Sequence, residues 1–112
     1  MAHEKMSFDT VRELALSLPD VQDATTTRGF ALKLRGRLLA CQATHKSAEP
    51  DSLVVRMDIG ERDRLVAESS DTCYVTGHYV KHPSLLVRLA RIDRSELQDL
   101  IGKAWRYQME HR

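Results

Sequence analysis

Side chains that can recognise a ligand are concentrated between Cys73 and Ile92, a stretch with two of the three tyrosines, two of the five histidines and no acidic residue. Polar groups of this kind converge where a loop meets a rigid sheet, and there they can line a pocket for a small ligand or a protein partner. The alternative is that the tyrosines pack against a helix with their hydroxyls at the rim. The candidate pocket residues are Tyr74, His78, Tyr79, Lys81 and His82.

Two of these residues, His78 and His82, have the four-residue spacing that places two imidazoles on one side of a helix for a metal ion. Gly77 and Pro83 bracket them, which argues against a helix, and no third ligand stands at a matching spacing. We therefore expect turn histidines held by hydrogen bonds, with no metal and no cofactor.

Nucleophilic catalysis would need a thiol beside a base, and Cys73 with His78 is the pair that the sequence offers. Cys73 lies in an apolar segment, where a thiol is inert. The chain has no Gly-x-Ser-x-Gly motif and no phosphate-binding glycine loop. We expect no catalytic residues and a protein that is not an enzyme. Cys41 and Cys73 are expected to be reduced and buried.

Charge is segregated along the chain although the formal net charge is only +1. The segments 24–46 and 73–92 hold eight basic residues and no acid, which leaves nine of the 17 basic residues with all 16 acids elsewhere. Such segregation can produce a local positive field.

The leading functional prediction is weak, salt-sensitive nucleic-acid binding, with DNA as the expected partner, by five basic residues of the predicted strands that share one sheet face and neutralise phosphates. The pocket for a small ligand or a protein partner is the alternative function. The alternative is an ordinary solvated face whose charges prevent edge-to-edge pairing of strands. Aromatic residues make up 5% of the chain, so a base-stacking platform is poorly supported. The five residues are Lys33, Arg35, Arg37, Arg56 and Arg88.

Three amphipathic helices are predicted, with Ser7, Asp58 and Asp93 as their N-caps. The first ends before Pro19, and the last carries Trp105 as an expected core anchor. Between the helices, alternation and β-branched residues predict strands within 25–27, 30–35, 37–42, 53–57, 72–76 and 85–92. The segment 43–52 is predicted to be a polar loop, with no function assigned to it.

The predicted order of elements is α-β-β-β-β-α-β-β-α, within a single domain that spans residues 1–112. Short hairpin connections predict an antiparallel sheet of five to six strands, and three helices can cover only one of its faces. We thus expect an α+β two-layer sandwich with one sheet face partly open. The chain has no membrane-spanning run and no segment resembling a signal peptide, so we expect a cytoplasmic protein, a monomer or weak dimer.

The element order and three local patterns resemble the MmcQ/YjbR family of small bacterial proteins, from about Met6 to Gln108. The patterns are Leu18-Pro19 at the end of the first helix, Val55-Arg56-Met57-Asp58 leading into Glu61-Arg62, and Tyr74-Val75-Thr76-Gly77-His78-Tyr79 before Leu86-Val87-Arg88-Leu89. Tyr74 to Leu89 is the most specific part of the likeness.

The resemblance implies an α+β fold similar to the frataxin (CyaY-like) and secretion-chaperone folds. It also implies DNA binding through a "double wing" arrangement, and the likeness to chaperones makes a protein partner reasonable. The chain departs from the family pattern at His82-Pro83-Ser84, where many relatives have an aromatic residue, and at Gly77, where others often have proline. A base-stacking role for that aromatic therefore has no counterpart in this chain.

Overall fold

The fold was analysed in a computed structural model that describes residues 5–111, so residues 1–4 and 112 of the predicted domain lie outside the described part. The chain forms, in order, α1 (Phe8–Leu16), β1 (Val21–Asp23), β2 (Ala31–Leu34), β3 (Arg37–Gln42), β4 (Ser52–Arg56), α2 (Ile59–Glu68), β5 (Cys73–Tyr74), β6 (Ser84–Arg88) and α3 (Arg94–Glu110). This is the predicted order of elements.

Each helix begins at its predicted N-cap. The cap side chain accepts a hydrogen bond from the backbone N–H three residues further on, which satisfies one of the free donors of the first turn. These bonds run from Thr10 to Ser7 (3.2 Å), from Glu61 to Asp58 (3.1 Å) and from Glu96 to Asp93 (2.7 Å).

The six strands form one antiparallel sheet in the order β1-β2-β3-β4-β6-β5. One hydrophobic core contains buried side chains from all three helices, for example Leu14 of α1, Leu65 of α2 and Leu97 of α3, and it also contains one face of the sheet. The predicted α+β two-layer sandwich is therefore confirmed. We call the sheet face that contacts the helices the core face and the other the open face.

The register of β4 and β6 shows which residues belong to each face, because directly paired residues of an antiparallel ladder point to the same side. Val55 with Leu85, and Leu53 with Val87, lie on the core face. The alternate pairs lie on the open face: Ser52 with Arg88, Val54 with Leu86, and Arg56 with Ser84.

The predicted hairpin is formed by β2 and β3, with Arg35 and Gly36 as its two turn residues. Both have positive φ, 51° and 82°. Glycine adopts this conformation without strain, and a two-residue turn of this kind matches the twist of the strands. Leu32 and Leu34 are buried in the core and Lys33 is exposed, as the alternation predicted.

The strand predicted at Thr25–Thr27 is wrong, since β1 is formed by the preceding residues, Val21–Asp23. The threonine hydroxyls bond to the local backbone instead. Thr25 Oγ1 accepts from the N–H of Ala31 at 3.3 Å, and Thr26 Oγ1 accepts from the N–H of Arg28 at 3.1 Å. Such bonds compete with a sheet ladder and favour a turn.

Candidate functional site

The apolar residues of the open face are shielded from solvent, although no helix formed by residues 5–111 packs on them. Val54 and Leu86 point to this face and are only 5% and 0% exposed, and they do not belong to the main core. Two connections shield this face, the β3–β4 loop (43–51) and the β5–β6 turn (75–83). The polar loop for which the sequence predicted no function is therefore part of the candidate site.

Tyrosine hydroxyls and short polar side chains join the two connections. The hydroxyl of Tyr79 accepts a hydrogen bond from the N–H of His45 at 3.4 Å. The hydroxyls of Ser47 and Thr76 are 2.8 Å apart. The hydroxyl of Tyr74, which lies in β5, accepts a hydrogen bond from the N–H of Glu49 at 2.8 Å. The bonds of Tyr79 and Thr76 hold the loop against the turn, and the bond of Tyr74 holds the loop against β5.

A groove of about 510 Å³ lies between the connections and the sheet; we call it the open-face groove. Its apolar lining comes from Leu38, Cys41 and Val54. Its polar lining comes from the strands and from both connections: Gln42, Thr44, His45, Arg56, His78, Tyr79, His82 and Ser84. A concave apolar surface with a few convergent polar groups is typical of small-molecule sites, whose volumes run from roughly 300 to 1,000 Å³.

Three aromatic rings pack together in the lining of the groove. The imidazoles of His45 and His78 are stacked with centroids 3.6 Å apart, and both rings meet the Tyr79 ring edge to face. Partial burial lowers the pKa of His45, and the nearby His78 and Lys46 lower it further. A depressed pKa favours a neutral His45 at pH 7.

A buried arginine of α2 binds the backbone of the β5–β6 turn. Arg62 is 2% exposed, and its Nη1 donates to the carbonyls of Val80 (3.1 Å) and His82 (2.9 Å). Its Nε donates to Asp63 at 2.9 Å. The guanidinium thus satisfies two turn carbonyls and positions one wall of the groove. The sequence contained no signal for this role, because Arg62 reads as an ordinary polar helix residue.

The five residues predicted for a pocket divide into two groups. His78, Tyr79 and His82 line the groove. Tyr74 does not; it lies on the open face at the far end, under the guanidinium of Arg88. Lys81 is exposed in the turn and is not part of the lining. His45 was missed, since an isolated histidine in a polar loop carries no periodic or motif signal.

The five basic strand residues do not share one face. Lys33 and Arg56 lie on the open face. Arg88 lies there too, but Glu49 accepts from its Nε and Nη2. Arg35 stands in the hairpin turn and pairs with Asp20 at 2.9 Å. Arg37 is paired with the core residue Leu34 and donates to the carbonyl of His111 beside α3, so it lies on the helix side.

Neither cysteine has the surroundings of a reactive thiol. Cys73 is buried in the core, whereas His78 lines the groove on the other face, so the sheet separates this possible nucleophile and base. Burial raises the pKa of Cys73. Burial also raises the pKa of Cys41 in the groove, although Arg56 opposes the shift. A raised pKa keeps a thiol protonated and weakly nucleophilic.

Residues 5–111 contain no group of three or more histidine, cysteine, aspartate or glutamate side chains placed to hold a metal ion. In the same range, no helix combines the length and the apolar character that crossing a bilayer requires.

The fold and the groove define a small α+β domain with a shielded cleft on the open face of its sheet. No family model matches the chain. Two similar proteins are the uncharacterized protein Rv2570 of Mycobacterium tuberculosis (strain ATCC 25618 / H37Rv) and the uncharacterized protein Mb2600 of Mycobacterium bovis. Each is 36% identical over 66 residues, covering 55% of this chain and 51% of the relative. The chain thus spans about half the length of these relatives.

The fold is similar to that in the crystal structure of the Deinococcus radiodurans protein DR2400, which contains the domain DUF419. The TM-score is 0.73 over 96% of this chain and 81% of the other, at 16% sequence identity. At this identity the likeness concerns the fold alone.

Proposed function

We propose that the chain is a non-enzymatic small-ligand-binding domain of the MmcQ/YjbR type, and that the open-face groove is its binding site. The observation that carries the proposal is the groove itself, in which polar groups from two strands and two connections converge over an apolar surface. The family assignment is supported by the local sequence patterns and by the fold of a DUF419 protein, a domain of the MmcQ/YjbR-like superfamily. A cytoplasmic and bacterial setting is part of the proposal, and the organisms of the relatives support its bacterial part.

A thermal-shift screen of small molecules tests the proposed function, because a compound that binds only the folded state raises the melting temperature. Cys41→Phe introduces a ring into the groove and should abolish the shift produced by each groove-binding compound. Lys33→Phe adds the same ring on the same face outside the groove, and should leave the shift intact. The proposal is wrong if no compound stabilises the wild type, or if every stabilising compound acts equally on the Cys41→Phe variant.

As a second candidate we propose weak nucleic-acid binding by the open face. Within residues 5–111, Lys33 and Arg56 lie on the open face and have no carboxylate within ion-pair distance. Lys46 and Lys81 are exposed in the two connections that shield this face. Four such cations could contact phosphates without regard to sequence. A protein partner on the same surface is the remaining alternative.

Duplex-DNA titrations at low and moderate salt test this second candidate. Lys33→Glu with Arg56→Glu should abolish binding at low salt. Arg35→Glu makes the same type of charge change in a residue already paired with Asp20, and should have a smaller effect. Absence of binding by the wild type at low salt, or equal losses in the two variants, would contradict the proposal.

A further inference from the structure

The open face of the β4–β6 ladder carries an arginine opposite a serine at each end. Arg88 of β6 is paired with Ser52 of β4, and Arg56 of β4 is paired with Ser84 of β6. The two guanidiniums therefore occupy equivalent positions on one face of the same pair of strands. Their surroundings differ because, among the described residues, a carboxylate binds Arg88 but none binds Arg56.

The guanidinium of Arg88 has a complete set of partners. Its Nε and Nη2 donate to the carboxylate of Glu49 at 3.0 and 2.8 Å, and its Nη1 donates to the carbonyl of Ser70 at 2.8 Å. Its Cζ lies 4.3 Å from the centroid of the Tyr74 ring. A planar fork bound by a carboxylate and stacked on an aromatic ring is the arrangement that arginine forms most favourably.

The guanidinium of Arg56 lacks such an anion. It donates to the hydroxyl of Ser84 at 3.1 Å, and it has no carboxylate within ion-pair distance among residues 5–111. Among the residues that the structure describes, no acidic side chain lines the open-face groove, which Arg56 enters together with Tyr79 and His82. Arg56 is half-buried, and a partly desolvated cation without a counter-charge attracts an anion strongly.

We propose that the ligand of the open-face groove is a small organic anion whose carboxylate or phosphate binds Arg56, in the way that Glu49 binds Arg88. This inference rests on the proposed function and specifies the class of ligand. The hydroxyl of Ser84 lies beside the same anionic group, and the apolar part of the ligand lies over Leu38, Cys41 and Val54. An inorganic anion alone would leave that apolar surface uncovered, so an organic anion fits better.

Three probes of similar shape separate the proposed class from the alternatives: benzoate, phenyl phosphate and the neutral benzamide. Each is titrated at constant ionic strength into ¹⁵N-labelled protein, and the backbone amide signals of Cys41, Val54 and Ser84 are followed. At least one of the two anions should shift these signals at about one tenth of the concentration that benzamide needs, because a hydrogen bond between two charged groups is stronger than one to a neutral group. The carboxylate and phosphate arms show which anionic group the site prefers.

Arg56→Gln should weaken anion binding to the level of benzamide. Lys33→Gln, the matched loss of one charge on the same face, should change it less than twofold. Arg56→Lys keeps the charge but removes the planar fork, and it should give an intermediate affinity if the fork matters. Signal dispersion in the spectrum of each variant shows whether that variant is folded.

Two contradictory results can be told apart. If benzamide shifts the groove signals as strongly as both anions do, or if Arg56→Gln and Lys33→Gln weaken anion binding equally, the ligand class is wrong while the proposed function stands. If no probe shifts the groove signals and the thermal-shift screen also gives no groove-dependent compound, both proposals are wrong.

Discussion

The imidazole rings of His45 and His78 stack with their centroids 3.6 Å apart and their planes 6° from parallel, and this contact joins the β3–β4 loop to the β5–β6 turn. His45 is further tied to its own loop, since its Nδ1 accepts from the N–H of Ser47 at 3.1 Å. An Nδ1 that accepts a hydrogen bond carries no proton, so this arrangement requires neutral His45 with its proton on Nε2. The protonation state of His45 therefore affects the contact between the two connections that line the groove.

Replacing His78 with alanine should raise the pKa of His45 toward its ordinary value of 6.5. Burial is the largest cause of the depression and the charge of His78 is the second, and removal of the stacked ring relieves both. The Hε1 proton of His45, followed by NMR from pH 4.5 to 8, reports this pKa directly. His82→Ala is the control, because His82 does not contribute to the shift; equal changes in the two variants would contradict the role assigned to the stack.

The lowered pKa of His45 also predicts how the stability of the fold depends on pH. Because the pKa of His45 is lower in the folded state, the unfolded chain binds this proton first as the pH falls below 6.5, and stability decreases between that pH and the folded pKa. His45→Gln should make the urea midpoint less sensitive to pH in this range. A difference in midpoint between the wild type and the variant that is the same at pH 7.5 and pH 5 would contradict the prediction.

The fold was largely predictable because its signals are local. Three N-caps and the spacing of apolar residues predict the helices, and the alternation at Leu32, Lys33 and Leu34 predicts which side of β2 is buried. The strands predicted at 72–76 and 85–92 are shorter in the structure, Cys73–Tyr74 and Ser84–Arg88. The strand predicted at Thr25–Thr27 is absent, because side-chain hydroxyls there bond to nearby backbone groups. Propensity favoured a strand there, but local hydrogen bonding decided the conformation.

The site was less predictable because it depends on contacts between distant segments. His45 and His78 are 33 positions apart in sequence, and Arg62 reaches the turn carbonyls of residues 18 and 20 positions further on. The sequence shows which residues are basic, but it does not show which of them are paired with an acid. Whether a cation is free or paired depends on the fold, as Arg56 and Arg88 show at the two ends of one ladder.

Replacing Arg62 with methionine should destabilise the protein by about 1–3 kcal/mol, because the carbonyls of Val80 and His82 lose a buried donor. The urea midpoint measures the loss, and amide signals of residues 76–83 should move most. Arg64→Met in the same helix is the control. Arg64 is half-exposed and pairs with Glu61 and Glu68, so its replacement should cost less than about 1 kcal/mol. Equal losses in the two variants would show that Arg62 does not hold the turn.

Replacing Glu49 with glutamine tests whether the ion pair between Glu49 and Arg88 weakens nucleic-acid binding by the open face. The change removes the carboxylate that binds Arg88, and the N–H of Glu49 that bonds to Tyr74 stays in place. If DNA binds this face, the freed Arg88 should add one phosphate contact. The plot of log K against log salt concentration should then become steeper by about 0.9.

Asp20→Asn is the matched control for Glu49→Gln. It makes the same charge change and frees Arg35, but Arg35 stands in the β2–β3 turn away from the groove. This variant should raise affinity only through the general increase in positive charge, with a smaller change in the salt slope. Equal slopes in the two variants would mean that DNA responds to net charge alone, and the open face would then have no special role in binding it.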